Sequence, residues 1–233
     1  MVKEIVDRSA AFVALVLLAP LFLVFCILVW RQDGRSPFYV ADRVARGGGT
    51  FRMVKIRSMI ANADRLGASS TAGDDARVTA VGRFIRRWKI DELSQLWNVL
   101  KGDMSLVGPR PQLPSEVATY TNEERRLLAA KPGITDFSSI VFADEGEILR
   151  GSADPDLAYA RLIRPWKSRL GLFYVAHRSF RVDIALILLT LLRIVASERA
   201  LQGVSRLLEN LGASADLVQF ARRTSPLEEG WPR

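Results

Sequence analysis

A run of 21 uncharged residues, from Ala10 to Trp30, constrains the fold of this 233-residue chain more than any other feature. About 20 apolar residues suffice to cross the hydrocarbon core of a bilayer. The run is too long for a signal peptide, and no small-residue cleavage site follows it. The alternative is the buried core helix of a soluble protein. We expect residues 1–36 to form a membrane helix with its flanks.

Pro20 lies at the middle of this run, where a proline removes a backbone donor and kinks a helix. Both flanks of the run are basic, with Lys3 and Arg8 before it and Arg31 and Arg35 after it. Basic flanks favour the cytoplasmic side, and only one flank of a true span can lie there. The residues themselves leave open both a simple span and a hairpin that enters and leaves on one face.

The charge balance indicates an anionic partner. The chain has 33 Lys and Arg against 25 Asp and Glu, and the excess lies in residues 37–111 and 161–193. With a membrane segment present, phospholipid and membrane-bound phosphate are favoured over nucleic acid, which we do not expect to bind. One cysteine and one histidine exclude a disulfide framework and a histidine metal cluster. The oligomeric state is not readable from the sequence.

Local patterns predict an α+β chain that is mostly helical. We expect strands at 37–40 and 51–56, and helices at 59–66, 84–88, 91–101, 121–130 and weakly after 198. Residues 102–114 and 131–135 are rich in Gly and Pro, which indicates loops. The predicted organisation is a membrane segment at 1–36, a small cytosolic domain with short strands at 37–197, and an extension at 198–233.

The segment 161–193 is basic and aromatic, and an apolar stretch at 184–192 is too short to span a bilayer. Trp166, Phe173, Tyr174 and Phe180 are residue types that settle at the headgroup level, which favours amphipathic interface helices. An ordinary core helix with a solvated basic neighbour is the alternative.

Asp91 and Glu92 open the predicted helix at 91–101. Asp91 could be only a helix cap. However, basic residues surround the pair in the chain, including Arg86 upstream and Arg110 in a Gly/Pro loop downstream. Arginines beside a helix N-terminus favour phosphate, and they keep a carboxylate ionised as a nucleophile or a metal ligand. Carboxylates that meet phosphate suit Mg²⁺, for which Asp91 is the predicted ligand.

A second basic pair, Lys55 and Arg57, ends the predicted strand at 51–56 and is either a solvated edge or a phosphate site. Neither a P-loop nor a GxGxxG motif is present in the sequence. These patterns predict a membrane protein with a phosphate-binding, carboxylate-bearing site, and they name no reaction.

Four stretches together resemble the bacterial sugar transferase family, the small monotopic phosphoglycosyl transferases. They are Lys3 with Asp7-Arg8, SPFYVADRVARGGGTFRMVKIRSM, DARVTAVGRFIRRWKIDELSQLWNVLKGDMSLVGPRP, and KPGIT. They occur in family order over residues 1–195. The resemblance is carried chiefly by the long stretch from the Asp-Glu dyad to GDMSLVGPRP.

The resemblance implies that a UDP-sugar gives its sugar-1-phosphate to polyprenol (undecaprenyl) phosphate and releases UMP, the first membrane step of polysaccharide or glycoconjugate synthesis. Asp91 would be the nucleophile that carries a phosphosugar intermediate, with Glu92 as the second member of the dyad and Mg²⁺ as cofactor. Arg110, Arg86, Lys55 and Arg57 would hold phosphate. A re-entrant helix kinked at Pro20 would lie in the bacterial inner membrane, with the catalytic domain on the cytoplasmic face.

Three positions depart from the family pattern. Ala19 precedes Pro20 where the family often has serine, Ser94 replaces the proline after the dyad, and Asp136-Phe137 replaces Gly-Trp after PGIT. The last change affects the sugar if that loop contacts a substrate. Two other functions remain: a catalytically silent membrane adaptor of a polysaccharide assembly complex, and a glycosyltransferase that moves the sugar alone and releases nucleoside diphosphate.

Overall fold

The computed structural model describes residues 2–224 and 227, and it is mostly helical with a few short strands, as predicted. The strands are β1 (Phe38–Val44), β2 (Thr50–Ile56), β3 (Ser105–Val107) and β4 (Gly133–Thr135). The helices are α1 (Val2–Asp33), α2 (Ala80–Arg87), α3 (Gln95–Lys101), α4 (Pro114–Val117), α5 (Phe137–Val141), α6 (Glu145–Ile148), α7 (Pro155–Ala158), α8 (Arg164–His177), α9 (Phe180–Val195), α10 (Ser197–Asn210) and α11 (Ala215–Arg222).

The uncharged run forms one 32-residue helix, α1, with Pro20 inside it. A single stripe of this helix packs against the rest of the protein. Ala11 contacts a cluster that includes Met53 and Leu96, whereas Phe25 and Val29 contact a second cluster around Ile85. Only 17% of its most apolar 18-residue window is buried. Helix α1 is long and apolar enough to cross a membrane. Its exposed apolar face supports membrane association.

Both ends of α1 are bound to the same body. At the start, Lys3 pairs with Asp183 of α9, and Ser105 Oγ donates to Asp7 at 2.6 Å. At the end, the guanidinium of Arg57 binds both oxygens of Asp33 at 2.6 and 2.7 Å. These contacts hold the helix along one face of the domain. The re-entrant path and the kink at Pro20 stay predictions.

Strands β1 and β2 pair antiparallel, from Phe38 opposite Ile56 to Val44 opposite Thr50. The hairpin confirms the two predicted strands, and the first is longer than expected. Gly47 and Gly48 form the turn at φ values of 83° and 95°, a region that favours glycine.

The second sheet was not predicted, because its segments were interpreted as loops. Strands β3 and β4 pair in parallel, with Ser105 opposite Gly133 and Val107 opposite Thr135. Gly108 and Gly133 allow the backbones of the two strands to lie in close contact. A Cβ on Gly108 would lie 2.2 Å from the Lys131 carbonyl oxygen, and one on Gly133 would lie 2.0 Å from the Gly108 nitrogen.

Three predicted helices are shorter than expected or absent. The 59–66 segment holds only a 3₁₀ turn at Ala63–Arg65, since Asn62 before it is left-handed with φ 61°. The 121–130 segment is a 3₁₀ helix at Glu124–Ala129. The helix expected at 91–101 begins only at Gln95, after a separate 3₁₀ turn at Ile90–Glu92.

The main core joins α5, α8, α9, α10 and α11. Tyr174 is 1% exposed, so its predicted place at the headgroup level is wrong, whereas the half-buried Trp166 stacks on Phe220 at 3.7 Å. Helix α9 does keep an exposed apolar stripe, formed by Phe180, Ile184, Leu188, Leu191 and Ile194. The amphipathic helix expected after 198 is confirmed as α10, which buries Val204 and Leu208. The polar end of the predicted extension lies mostly outside the described residues.

Candidate active site

Asp91 lies in a short 3₁₀ turn between α2 and α3. Lys89, just before the turn, adopts a left-handed conformation with φ 56°, which ends α2 and reverses the chain. Asp91 is therefore not the N-cap of α3, a position that Ser94 occupies. The simple capping interpretation of Asp91 is wrong, because α3 begins one turn later.

Side chains of α3 fix this turn against β2. Asn98, which is fully buried, accepts from the Val54 nitrogen at 3.0 Å and donates to the Arg52 carbonyl at 2.7 Å. The Ser94 hydroxyl lies 3.0 Å from the Val54 carbonyl oxygen and 3.2 Å from that of Asp91, and it can donate to either. These bonds place Lys55, the next residue of β2, beside the dyad.

Glu92 is held in two ion pairs. Its Oε1 accepts from Arg110 Nη2 at 2.8 Å and lies 3.7 Å from Lys55 Nζ. Burial opposes ionisation of this carboxyl, but the charges of Arg110 and Lys55 outweigh it and hold the pKa of Glu92 well below its usual range. Glu92 is therefore an anion at neutral pH and forms ion pairs with both cations.

Asp91 has the opposite environment. It is 8% exposed, and its Oδ1 is buried without a hydrogen-bond partner among the described residues. Burial raises the pKa of Asp91, and the charges of Lys55, Lys89 and Arg86 partly offset that rise. A buried oxygen without a hydrogen-bond partner destabilises the fold unless a ligand binds it. The two carboxylates of the dyad therefore differ: Glu92 is bound and Asp91 is available.

Arg110 reaches the dyad from the second sheet. The Gly108 nitrogen donates to the Thr135 carbonyl at 3.0 Å, and the Gly133 nitrogen donates to the Pro109 carbonyl at 3.0 Å. On its other side Arg110 lines a cavity of about 40 Å³. The charged or polar side chains around this cavity include Glu116, Tyr120, Asp136, Arg164 and Lys167. A small cavity with a mixed polar and apolar lining thus lies beside the bound cation.

The sequence profile of the family described as "Bacterial sugar transferase" matches residues 1–197. The chain belongs to the bacterial sugar transferase family. A Bacillus subtilis relative named "Uncharacterized sugar transferase EpsL" is 34% identical over 84% of this chain and 88% of its own length.

Two further relatives of this sugar transferase carry names that state a reaction. One, from Aeromonas hydrophila, is "UDP-N-acetylgalactosamine-undecaprenyl-phosphate N-acetylgalactosaminephosphotransferase", 34% identical over 74% of this chain. The other, from Salmonella typhimurium, is "Undecaprenyl-phosphate galactose phosphotransferase", 40% identical over 57% of this chain. The matches span 42% and 31% of these two relatives, so less than half of each.

Of the predicted phosphate-binding residues, Lys55 and Arg110 meet at the dyad, and Arg57 does not. Arg57 is 9% exposed, and Asp33 and the Ser36 carbonyl take its guanidinium hydrogens. It is an internal clamp on the end of α1, so its predicted phosphate role has no support. Arg86, on α2, acts on the Asp91 carboxyl through its charge.

Sequence reasoning missed the residues that build the site rather than act in it. Asn98 and Gln95 are polar positions inside a helix interpreted as apolar on one face, and both are at most 1% exposed. Like the Asp91 Oδ1, the Gln95 Nε2 is buried without a hydrogen-bond partner in the part of the chain that the structure describes. Asp136 caps α5 by accepting from the Ser139 nitrogen at 2.7 Å, while Phe137 enters the core. The departure after PGIT therefore places one residue, Asp136, at the cavity.

A dedicated metal cage is absent from the part of the chain that the structure describes, since no group of three or more His, Cys, Asp or Glu side chains converges there. Mg²⁺ is commonly bound by one or two carboxylates together with substrate phosphates. The free Asp91 Oδ1 fits the single-carboxylate case.

Proposed function

We propose that this sugar transferase moves a sugar-1-phosphate from a UDP-sugar to polyprenol (undecaprenyl) phosphate and releases UMP. The observation that carries the proposal is the division of the dyad: Glu92 is neutralised by Arg110 and Lys55, whereas Asp91 is buried and its Oδ1 has no hydrogen-bond partner among the described residues. A desolvated carboxylate beside cations is suited to attack a phosphorus atom, because cations draw in the donor's diphosphate. The names of the relatives support the same substrates.

The reaction proceeds in two displacements. An Asp91 oxygen attacks the sugar-bearing phosphorus of the donor, and the bond from that phosphorus to the bridging oxygen breaks. UMP leaves with that oxygen, and the sugar phosphate remains on Asp91 as an acyl phosphate. An oxygen of polyprenol phosphate then attacks the same phosphorus, which forms the lipid diphosphate and returns the carboxylate. One site serves both substrates in turn, since each presents a phosphate.

The cations have separate tasks in this scheme. Lys55 lies at the dyad, and burial, together with the charge of Arg110, lowers its pKa, although Glu92 and Asp91 oppose the shift. It faces the charge that develops on the transferred phosphoryl group. Arg110 presents its remaining donors to the cavity and the donor phosphates. Asp91 would hold Mg²⁺, which would supply charge neutralisation of the diphosphate.

The enzyme would act at the cytoplasmic face of the bacterial inner membrane. The exposed apolar faces of α1 and α9 would lie in lipid, so that the acceptor phosphate meets the dyad at the headgroup level. A re-entrant α1, kinked at Pro20, would keep both basic flanks on the cytoplasmic side.

The test is incubation of the purified full chain in nanodiscs with Mg²⁺, polyprenol phosphate and a panel of UDP-sugars. UMP release that depends on one sugar supports the proposal and identifies the donor. UDP release would instead identify transfer of the sugar alone. No nucleotide release, in protein shown to be folded, would favour the silent membrane adaptor.

A further inference from the structure

A second cavity lies at the start of α1, at the end of α3 opposite the dyad. It measures about 220 Å³ and is lined by residues of five segments: the first turns of α1, the β1–β2 turn, the stretch from α3 through β3, the chain at 130–131, and α8 with its C-cap. Ala130 lines both cavities, so the chain at 130–132 separates this one from the cavity at Arg110.

The lining of this cavity is strongly cationic. It holds five basic residues, Lys3, Arg8, Arg46, Lys131 and Arg178, against two acidic ones, Glu4 and Asp7. The two lysines are already paired, Lys131 with Glu4 at 2.8 Å and Lys3 with Asp183. Asp7 accepts from Ser105 Oγ at 2.6 Å and also lies 3.8 Å from Lys3, so the lining as a whole keeps more basic than acidic groups.

The three arginines have no carboxylate partner within the described residues. Arg178 makes one long bond, from Nη1 to the Ala129 carbonyl at 3.4 Å. The Arg8 guanidinium lies against Gly102, where a Cβ would be 2.1 Å from its Nη2. Gly102 ends α3 at φ 90°, so this glycine both caps the helix and leaves room for the arginine. Three arginines converge on one cavity without a salt bridge to any described residue, and although the charge of Arg46 also acts on Glu4, the excess of cations favours an anion there.

The position of the cavity selects the source of the anion. The ion pair from Lys3 to Asp183 sets the start of α1 beside the start of α9. Exposed apolar residues of both helices, Val2 and Ile5 on α1 and Phe180 on α9, flank this junction. A cationic cavity beside apolar helix surfaces is where a lipid headgroup meets a protein.

We propose that this cavity binds the phosphate group of an anionic membrane phospholipid, through Arg8, Arg46 and Arg178. The site is separate from the dyad, and it rests on the membrane placement of α1 and not on the transfer reaction. Free phosphate offers the same chemistry without the acyl chains.

The test titrates the full chain in detergent with soluble short-chain lipids and follows its melting temperature, without any UDP-sugar. Dihexanoyl phosphatidylglycerol is the anionic probe, dihexanoyl phosphatidylcholine the zwitterionic control, and inorganic phosphate the headgroup-free probe. We expect saturable stabilisation by phosphatidylglycerol that exceeds the other two. In the Arg46→Gln/Arg178→Gln variant the apparent Kd should rise at least about tenfold, because each lost cation weakens headgroup binding several-fold.

A matched control is Arg199→Gln/Arg206→Gln, which removes the same charge from exposed positions on α10. It should bind like the wild type. The single variants Arg46→Gln and Arg178→Gln, both at exposed side chains, provide smaller steps if the double variant is unstable. If inorganic phosphate is the one probe that stabilises the protein, and the double variant loses this effect, the ligand is a soluble phosphate. This result would overturn the lipid assignment. Equal effects in the double variant and its control, or no effect of any probe, would overturn the site itself. Loss of transfer activity would affect neither result.

Discussion

Arg110 Nη2 lies 2.8 Å from Glu92 Oε1, and this ion pair gives two adjacent carboxylates different environments. Glu92 becomes a fixed counter-charge at the inner end of the site, and Arg110 is fixed with it. Asp91, one residue earlier, keeps an oxygen without a partner. Neighbouring acidic residues thus differ in chemistry because a cation from a distant sheet reaches only one of them.

Removing the Asp91 charge should abolish transfer and stabilise the protein. The pKa of Asp91 is raised, so at neutral pH its ionised form is a cost to the fold that a neutral amide avoids. We expect Asp91→Asn to lower UMP release by at least about three orders of magnitude. The free energy of unfolding should rise by about 0.5–2 kcal/mol. Asp42→Asn, an exposed control on β1, should change neither quantity. Substantial activity in folded Asp91→Asn would reject the nucleophile.

The acid limb of the activity profile should report the Asp91 carboxyl. Attack requires the ionised form, and burial raises its pKa while Lys55 opposes the rise. Activity should therefore fall as the pH drops through a value above the ordinary aspartate range of about 3.9. Lys55→Gln removes the opposing charge, so its limb should move to higher pH, whereas Arg52→Gln on the same strand should leave the limb in place. An unmoved limb in Lys55→Gln would contradict this assignment.

Breaking the ion pair from one side should destabilise the fold. Arg110→Gln leaves the buried Glu92 with only the more distant Lys55, and we expect a loss of about 2 kcal/mol, a low value because Arg110 is 28% exposed. The double variant Arg110→Gln/Glu92→Gln should recover much of that loss in chemical denaturation and remain inactive. If the single and the double variant are equally unstable, the unpaired charge of Glu92 is not the cause of the lost stability.

The same pair sets a pH dependence of stability. The folded pKa of Glu92 lies below its value in the unfolded chain, about 4.3. Its contribution is therefore complete above about pH 4.3 and is lost as the pH falls through the lower, folded pKa. Glu92→Gln should flatten this acid-side loss, as measured by thermal unfolding between about pH 3 and 6.

The glycines of the second sheet should tolerate no side chain. A Cβ on Gly108 would approach the Lys131 carbonyl oxygen to 2.2 Å. This oxygen belongs to the backbone, which cannot move aside without disturbing the pairing of the strands. We expect Gly108→Ala to cost about 2–4 kcal/mol and to displace Arg110. Gly49→Ala is the matched control, since no atom lies within 4 Å of its Cβ position. Equal melting temperatures for the two variants would show that the strands can move apart.

The re-entrant path of α1 can be tested with single cysteines at its two ends. In a Cys26→Ser background, we expect Ser9→Cys and Gln32→Cys to react with a membrane-impermeant maleimide from the same side of oriented vesicles. Both ends of α1 contact one domain, which supports that expectation. Labelling from opposite sides would establish a simple span.

The sequence by itself determined the long apolar N-terminal helix, the first hairpin and the family. Each depends on local information: an uncharged run, alternating strands around a Gly-rich turn, and motifs read in order. The sequence also predicted one site for the dyad, Lys55 and Arg110, and the structure brings these side chains together.

Only the tertiary structure decided which of these residues contact one another. Arg57 is as basic as Lys55 and two residues away, yet it clamps Asp33, because the strand ends at Ile56 and the chain beyond that end meets the end of α1 and not the dyad. The Gly-rich stretches at 102–114 and 131–135 pair as strands, because glycine permits the backbone contact that its local flexibility argues against. The roles of Asp91 and Glu92 separate for the same reason: ion pairs and burial depend on chain segments brought together from 18 or more residues away, and no local pattern records them.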